Sequence, residues 1–120
     1  YNTTINAFEG YVNGAWSGLG GGNPWIEKVT GDSGYTALNN DRIFVNTSGG
    51  QVTINLPSSP NVGDTVRFVD SEGTFATNNL VVGRNGNNIM GLAQDLTADT
   101  DFEGFALLYK DGTRGWILQE

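Results

Sequence analysis

Arg42-Ile43-Phe44-Val45-Asn46-Thr47-Ser48-Gly49-Gly50-Gln51-Val52-Thr53-Ile54-Asn55-Leu56 is the stretch that decides the fold. Two short runs rich in β-branched and aromatic residues flank a turn signal. In the second run Val52, Ile54 and Leu56 share one face of an extended chain, with Thr53 and Asn55 opposite. That period of two belongs to a half-buried strand. Thr47–Gly50 between the runs reads as a tight hairpin.

The same pattern recurs on both sides. Strands are expected near Trp25–Val29, Arg42–Asn46, Gln51–Leu56, Thr65–Asp70, Asn79–Val82, Asn88–Met90, Phe105–Lys110 and Gly115–Gln119. In Thr65–Asp70, Val66 and Phe68 face one way, and Thr65, Arg67 and Val69 the other. Pro57-Ser58-Ser59-Pro60-Asn61 ends a strand. Gly83-Arg84-Asn85-Gly86-Asn87 and Lys110-Asp111-Gly112-Thr113 read as further hairpin loops, through Asn-Gly and Asp-Gly. A short helical turn fits Leu92–Asp95, and no run of eleven residues has helical periodicity. The expected fold is all-β: a small antiparallel β-sandwich over 25–120. Leu80–Val82, Phe105–Tyr109 and Trp116–Leu118 are apolar on both faces, which suggests that some of these side chains meet a neighbouring subunit.

Residues 1–24 read as a separate unit. Ala7–Val12 and Ala15–Leu19 flank Asn13-Gly14, a hairpin signal, and Gly20-Gly21-Gly22 follows as a hinge. No Lys-Ser/Thr follows these glycines, so they are not a phosphate loop. A lone hairpin is marginal in water. This one carries Phe8, Tyr11, Trp16 and Leu19, which are expected to form the interface of a homotrimer.

The composition narrows the function. Thirteen acids against six bases give a net charge of −7, and the bases are scattered singly along the chain. That argues against nucleic acid or an anionic membrane as partner. No apolar run approaches a membrane span. With no His and no Cys, Ser-His-Asp and Cys-His chemistry and the common zinc sites are unavailable. No cofactor is expected.

Three groups of side chains could still carry chemistry. Asp95, Asp99, Asp101 and Glu103 form the densest carboxylate set, of a kind that can hold calcium; the spacing is not that of an EF-hand, and a solvated acidic loop is the simpler reading. Glu9, Glu27, Asp32, Asp41, Asp64, Asp70 and Glu72 could in principle supply a glycosidase pair. None has a catalytic context, and Asp64 and Asp70 read as turn residues, so no catalytic residue is assigned. Trp25 and Tyr35, together with Trp16 and Tyr11 and with abundant Asn nearby, could stack on sugar rings. The competing reading makes Trp25 and Trp116 core residues and packs Trp16 and Tyr11 in a subunit interface.

Several segments are familiar. Tyr1–Thr4, Phe8–Tyr11 and Trp16–Gly22 look like motifs of tail-fibre and baseplate proteins of tailed phages. Asn46–Pro57, Gly63–Asp70, Phe75–Leu80, Gly86–Gly91 and Gly115–Leu118 resemble, in order, the amino-terminal domain of the baseplate wedge tail-pin family. The resemblance implies a homotrimeric, non-enzymatic virion protein, made in the host cytoplasm. It would be an adaptor that holds a fibre or tailspike to other tail or baseplate proteins. Family members are long, so this chain looks like a fragment or a reduced member. The alternative is a receptor-binding tip that recognises host surface glycans through Trp25 and Tyr35.

Overall fold

A computed structural model of the chain describes residues 24–120. The expected hairpin and trimer contacts at Phe8, Tyr11, Trp16 and Leu19 lie outside the described residues. Nine strands follow: β1 (Trp25–Val29), β2 (Tyr35–Thr36), β3 (Arg42–Asn46), β4 (Val52–Asn55), β5 (Thr65–Asp70), β6 (Leu80–Gly83), β7 (Leu96–Ala98), β8 (Gly104–Asp111) and β9 (Gly115–Gln119). They form two mixed sheets, ordered β1-β3-β5-β8-β9 and β2-β4-β6-β7. The all-β class is therefore as the sequence suggests.

The pairing is not. β1, β3 and β5 are parallel neighbours in one sheet, and β2, β4 and β6 are parallel neighbours in the other. The chain crosses from sheet to sheet at every step from β1 to β6, so it winds as a short coil. Thr47–Gly50 is accordingly not a hairpin. It is a corner that carries β3 in one sheet into β4 in the other. The Gly50 N–H donates to the Thr47 carbonyl at 3.0 Å, and the Ser48 N–H to Asn46 Oδ1 at 3.0 Å. Gly50 takes φ +143°, a region that a side chain disfavours.

The alternation of each strand explains the coil. Ile43 and Val45 on β3, Val52 and Ile54 on β4, Val66 and Phe68 on β5, and Leu80 and Val82 on β6 are all fully buried in one core cluster. Parallel register stacks like on like: Ile43 pairs with Phe68, and Ile54 with Val82. Each turn of the coil thus covers the apolar residues of the next, and a fully buried aliphatic or aromatic side chain contributes about 1.5–3 kcal/mol.

Antiparallel strands close both sheets. β8 pairs with β5 and β9 with β8, while β7 pairs with β6. The β8–β9 connection is a hairpin, as expected. Its Asp111 Oδ1 accepts the N–H groups of Thr113 at 3.0 Å and Arg114 at 2.6 Å. These donors, the Arg114 N–H first and then the neighbouring Lys110 ammonium, hold the Asp111 carboxyl down at about 2.

Between β6 and β8 the structure departs from what the sequence suggests. Gly83–Asn87 does not lead into a strand at 88–90. Ile89 makes isolated bridges to Leu92 and Trp116 instead. The expected helical turn at Leu92–Asp95 is a bend, and the acidic segment from Asp95 to Glu103, expected as a solvated loop, contains β7.

Candidate functional site on the outer sheet face

The five-stranded sheet buries one face in the core and presents the other to solvent. Outward residues are set by alternation: Trp25 and Glu27 on β1, Arg42 and Phe44 on β3, Arg67 and Val69 on β5, Gly104, Ala106 and Leu108 on β8, and Ile117 and Gln119 on β9. Register arranges them in rows across the strands. One row reads Trp25, Arg42, Arg67, Ala106, Gln119, and the next reads Glu27, Phe44, Val69, Gly104. Neighbouring strands lie about 4.8 Å apart, so a five-residue row spans roughly 19 Å.

Trp25 is not a core residue, as one reading of the sequence had it. It is 38% exposed and stacks on Phe44, itself 40% exposed, with ring centroids 4.8 Å apart and planes at 22°. Two aromatic rings therefore support one another on the solvent side. Beside them lies an open groove of about 410 Å³, bounded by Trp25, Arg67, Val69, Gln119 and Glu120. Gly104 and Ala106 form its floor, and their lack of bulk is what makes it a groove. A second hollow, of about 490 Å³, opens beside Phe44, Glu27 and Glu72.

The basic residues change meaning here. Arg42 and Arg67 are 25 positions apart in sequence but adjacent in register. Neither guanidinium makes a hydrogen bond or ion pair among the described residues, where the one ion pair is Lys110–Asp111. The sequence offered no way to pair them, because partnership across parallel strands depends on where the coil turns.

The other candidates are placed elsewhere. Tyr35 lies in the other sheet from Trp25, so the structure does not bring the two together on one strand ladder. Its hydroxyl donates to Asp41 Oδ2 at 2.7 Å, and the Lys28 ammonium sits 4.0 Å from its ring centre. Burial, then the hydrogen bond to Asp41 and the charge of that carboxylate, push the Tyr35 hydroxyl up to about 12. Asp95 Oδ1 accepts the Arg84 N–H at 3.0 Å, and Asp101 Oδ1 the Ala76 N–H at 2.9 Å. These acids tie down loops, and no group of three or more metal-ligating side chains is assembled among the described residues.

Asp70 is a turn residue, as expected, but a buried one, 1% exposed. Its carboxylate accepts five backbone N–H groups, from Glu72, Gly73, Thr74, Phe75 and Phe102, at 2.8–3.2 Å. Burial alone pushes its carboxyl up. The N–H groups of Phe102, Phe75, Thr74 and Gly73 more than offset that and leave it below the usual carboxylate value.

A third hollow, of about 370 Å³, lies at the other end of the outer face, between Val62, Leu108 and Ile117. Val62 is 77% exposed and Leu108 37%. The Gly63 N–H, bonded to the Tyr109 carbonyl at 2.9 Å, fixes this loop against β8.

No protein-family model and no curated protein matches the chain.

Proposed function

We propose that the chain is a structural module of a tailed-bacteriophage tail: a β-sandwich adaptor that forms a homotrimer and attaches a fibre or tailspike to the tail or baseplate. The resemblance of the sequence to tail-pin and tail-fibre proteins suggests it. The observation that carries it among the described residues is the apolar hollow at Val62, Leu108 and Ile117, where large side chains meet solvent side by side. Contiguous apolar surface left uncovered by the described residues is a mark of association. The apolar residues Phe8, Tyr11, Trp16 and Leu19 would add the first interface, and the hollow a second one.

Light scattering on the 120-residue chain tests this. A trimer is expected, with Trp16→Ala and Val62→Asp each lowering the mass while the β-sheet circular dichroism persists. A wild-type monomer at high concentration overturns it.

A second reading, recognition of host surface glycans, is favoured by the groove beside Trp25, where an exposed indole adjoins polar walls.

A further inference from the structure

We propose that Asn85-Gly86, in the loop between β6 and β7, is a self-modifying site. With water as the only reagent, the Asn85 side chain converts to aspartate and isoaspartate and unfastens the loop. This is independent of how the chain assembles.

Asparagine followed by glycine occurs at Asn13 and Asn85, and only Asn85 lies among the described residues. Asn85 and Gly86 are both exposed and take consecutive positive φ values, +50° and +92°. A Cβ placed on Gly86 would meet nothing within 4 Å, so the approach to its nitrogen is open. The Gly86 N–H donates no hydrogen bond among the described residues. The neighbouring asparagines lack this combination. Asn78 and Asn87 precede another asparagine, and Asn79 and Asn88 precede Leu80 and Ile89, whose side chains screen the attacking nitrogen. The Ile89 N–H is also held by the Leu92 carbonyl at 2.9 Å.

In the reaction the Gly86 nitrogen attacks Asn85 Cγ. The N–Cγ bond forms, the Cγ–Nδ2 bond breaks, and ammonia leaves with the proton from the Gly86 nitrogen. Water then opens the five-membered imide. Opening at Cγ gives aspartate. Opening at the Asn85 carbonyl carbon gives isoaspartate, with the main chain rerouted through Cβ and Cγ.

The nitrogen that leaves is the one that fastens the loop. Asn85 Nδ2 donates to the Leu56 carbonyl at 2.9 Å, across 29 residues of sequence. A carboxylate has no donor and sets an oxygen against that carbonyl instead. Two other ties remain: Asn87 Nδ2 to the Ser58 carbonyl at 3.1 Å, and the Arg84 N–H to Asp95 Oδ1 at 3.0 Å. Conversion therefore loosens the junction of this loop with the segment after β4 and does not unfold the sheets.

The test is to age the 120-residue protein in mildly alkaline buffer and map it by mass spectrometry. Peptide 73–103, released by cleavage after Glu72 and Glu103, holds all five asparagines to be compared. Conversion is expected at Asn85 and not at Asn78, Asn79, Asn87 or Asn88, with both aspartate and isoaspartate formed. The aged protein is expected to melt about 4–8 °C lower, the loss of about one hydrogen bond, and fresh Asn85→Asp to show a similar drop. Asn85→Gln, which would need a larger ring, is expected to stay unconverted at this position. It still carries Asn13-Gly14, so an unchanged melting temperature after ageing assigns the drop to Asn85. Conversion in urea but not in the folded protein overturns the proposal, since the fold then protects the site. Earlier conversion at one of the other four asparagines overturns it as well. Full conversion at Asn85 with no change in melting temperature overturns the role of the Leu56 tie.

Discussion

The carboxylate of Asp70 accepts the backbone N–H of Phe102 at 2.8 Å, across 32 residues of sequence. Phe102 takes φ +59°, an uncommon conformation for a bulky residue, and its ring lies against Gly73. The same carboxylate gathers four consecutive N–H groups of the turn after β5. One buried acid therefore joins the end of β5, the turn leading to β6, and the loop entering β8. Asp70→Asn replaces one acceptor oxygen with a donor and leaves several buried N–H groups unpaired. Each such group costs about 1–3 kcal/mol, so a loss of about 3–5 kcal/mol is expected. Urea unfolding followed by circular dichroism measures it. A loss below about 1 kcal/mol would mean that the turn holds without its acid.

That carboxylate also sets how stability depends on acidity. Its folded value lies below the ordinary one, so its contribution is complete above the ordinary carboxylate range and disappears as pH falls through the folded value. Wild type is expected to lose stability on acidification more steeply than Asp70→Asn. Parallel slopes in urea titrations at a series of acidic pH values would exclude Asp70 as the cause.

At the alkaline end the sign reverses. The Tyr35 hydroxyl is raised from the ordinary 10 to about 12 by burial and by Asp41. The folded state thus favours the neutral phenol. Its contribution is complete below pH 10 and fades as pH rises towards 12. Tyr35→Phe is expected to flatten this decline, and spectrophotometric titration at the phenolate band is expected to show one tyrosine ionising late. Identical alkaline unfolding in wild type and variant would refute this.

The corner at Thr47–Gly50 shows what the sequence could and could not tell. The β-branched and aromatic runs in 42–56 identify both strands, and alternation in 51–56 picks out the buried Val52, Ile54 and Leu56, because burial on one face imposes a period of two. It says nothing of which strand lies alongside. A hairpin and a corner between sheets use the same turn residues and bury the same side chains. The choice falls to non-local partners: β3 hydrogen-bonds between β1 and β5, and β4 between β2 and β6. The Arg42–Arg67 neighbourhood was hidden for the same reason. By contrast the Asp111 hairpin was readable, since its pairing and its capping acid lie within five residues.

Gly115 opens β9 with φ +73°, and a Cβ there would overlap the backbone carbonyl of Asn88. That carbonyl accepts the Trp116 N–H at 2.9 Å, so the close approach is part of how 88–90 is stitched to β9. Gly115→Ala combines backbone strain with a backbone clash and is expected to cost about 3 kcal/mol or more. Gly112→Ala, two residues before the Arg114–Gly115 step in the same hairpin, meets nothing within 4 Å and has no positive φ. It is expected to change stability by less than about 0.5 kcal/mol. Paired thermal melts check the contrast, and similar melting temperatures for the two variants would show that the approach to Asn88 is easily relaxed.

Trp116 is fully buried, packs edge-on against Tyr109 with centroids 5.4 Å apart, and its indole N–H has no hydrogen-bond partner among the described residues. Two effects oppose each other on substitution. Removing the whole side chain opens a large void, and Trp116→Ala is expected to cost about 3–5 kcal/mol. Trp116→Phe keeps most of the ring and removes an unpaired donor whose burial costs about 1–3 kcal/mol. The phenylalanine variant is therefore expected within about 1 kcal/mol of wild type, far from the alanine variant. Urea midpoints for the three proteins decide it. If Trp116→Phe is as damaging as Trp116→Ala, the indole nitrogen has a partner in solution, and the packing around 88–92 would need to be redrawn to supply it.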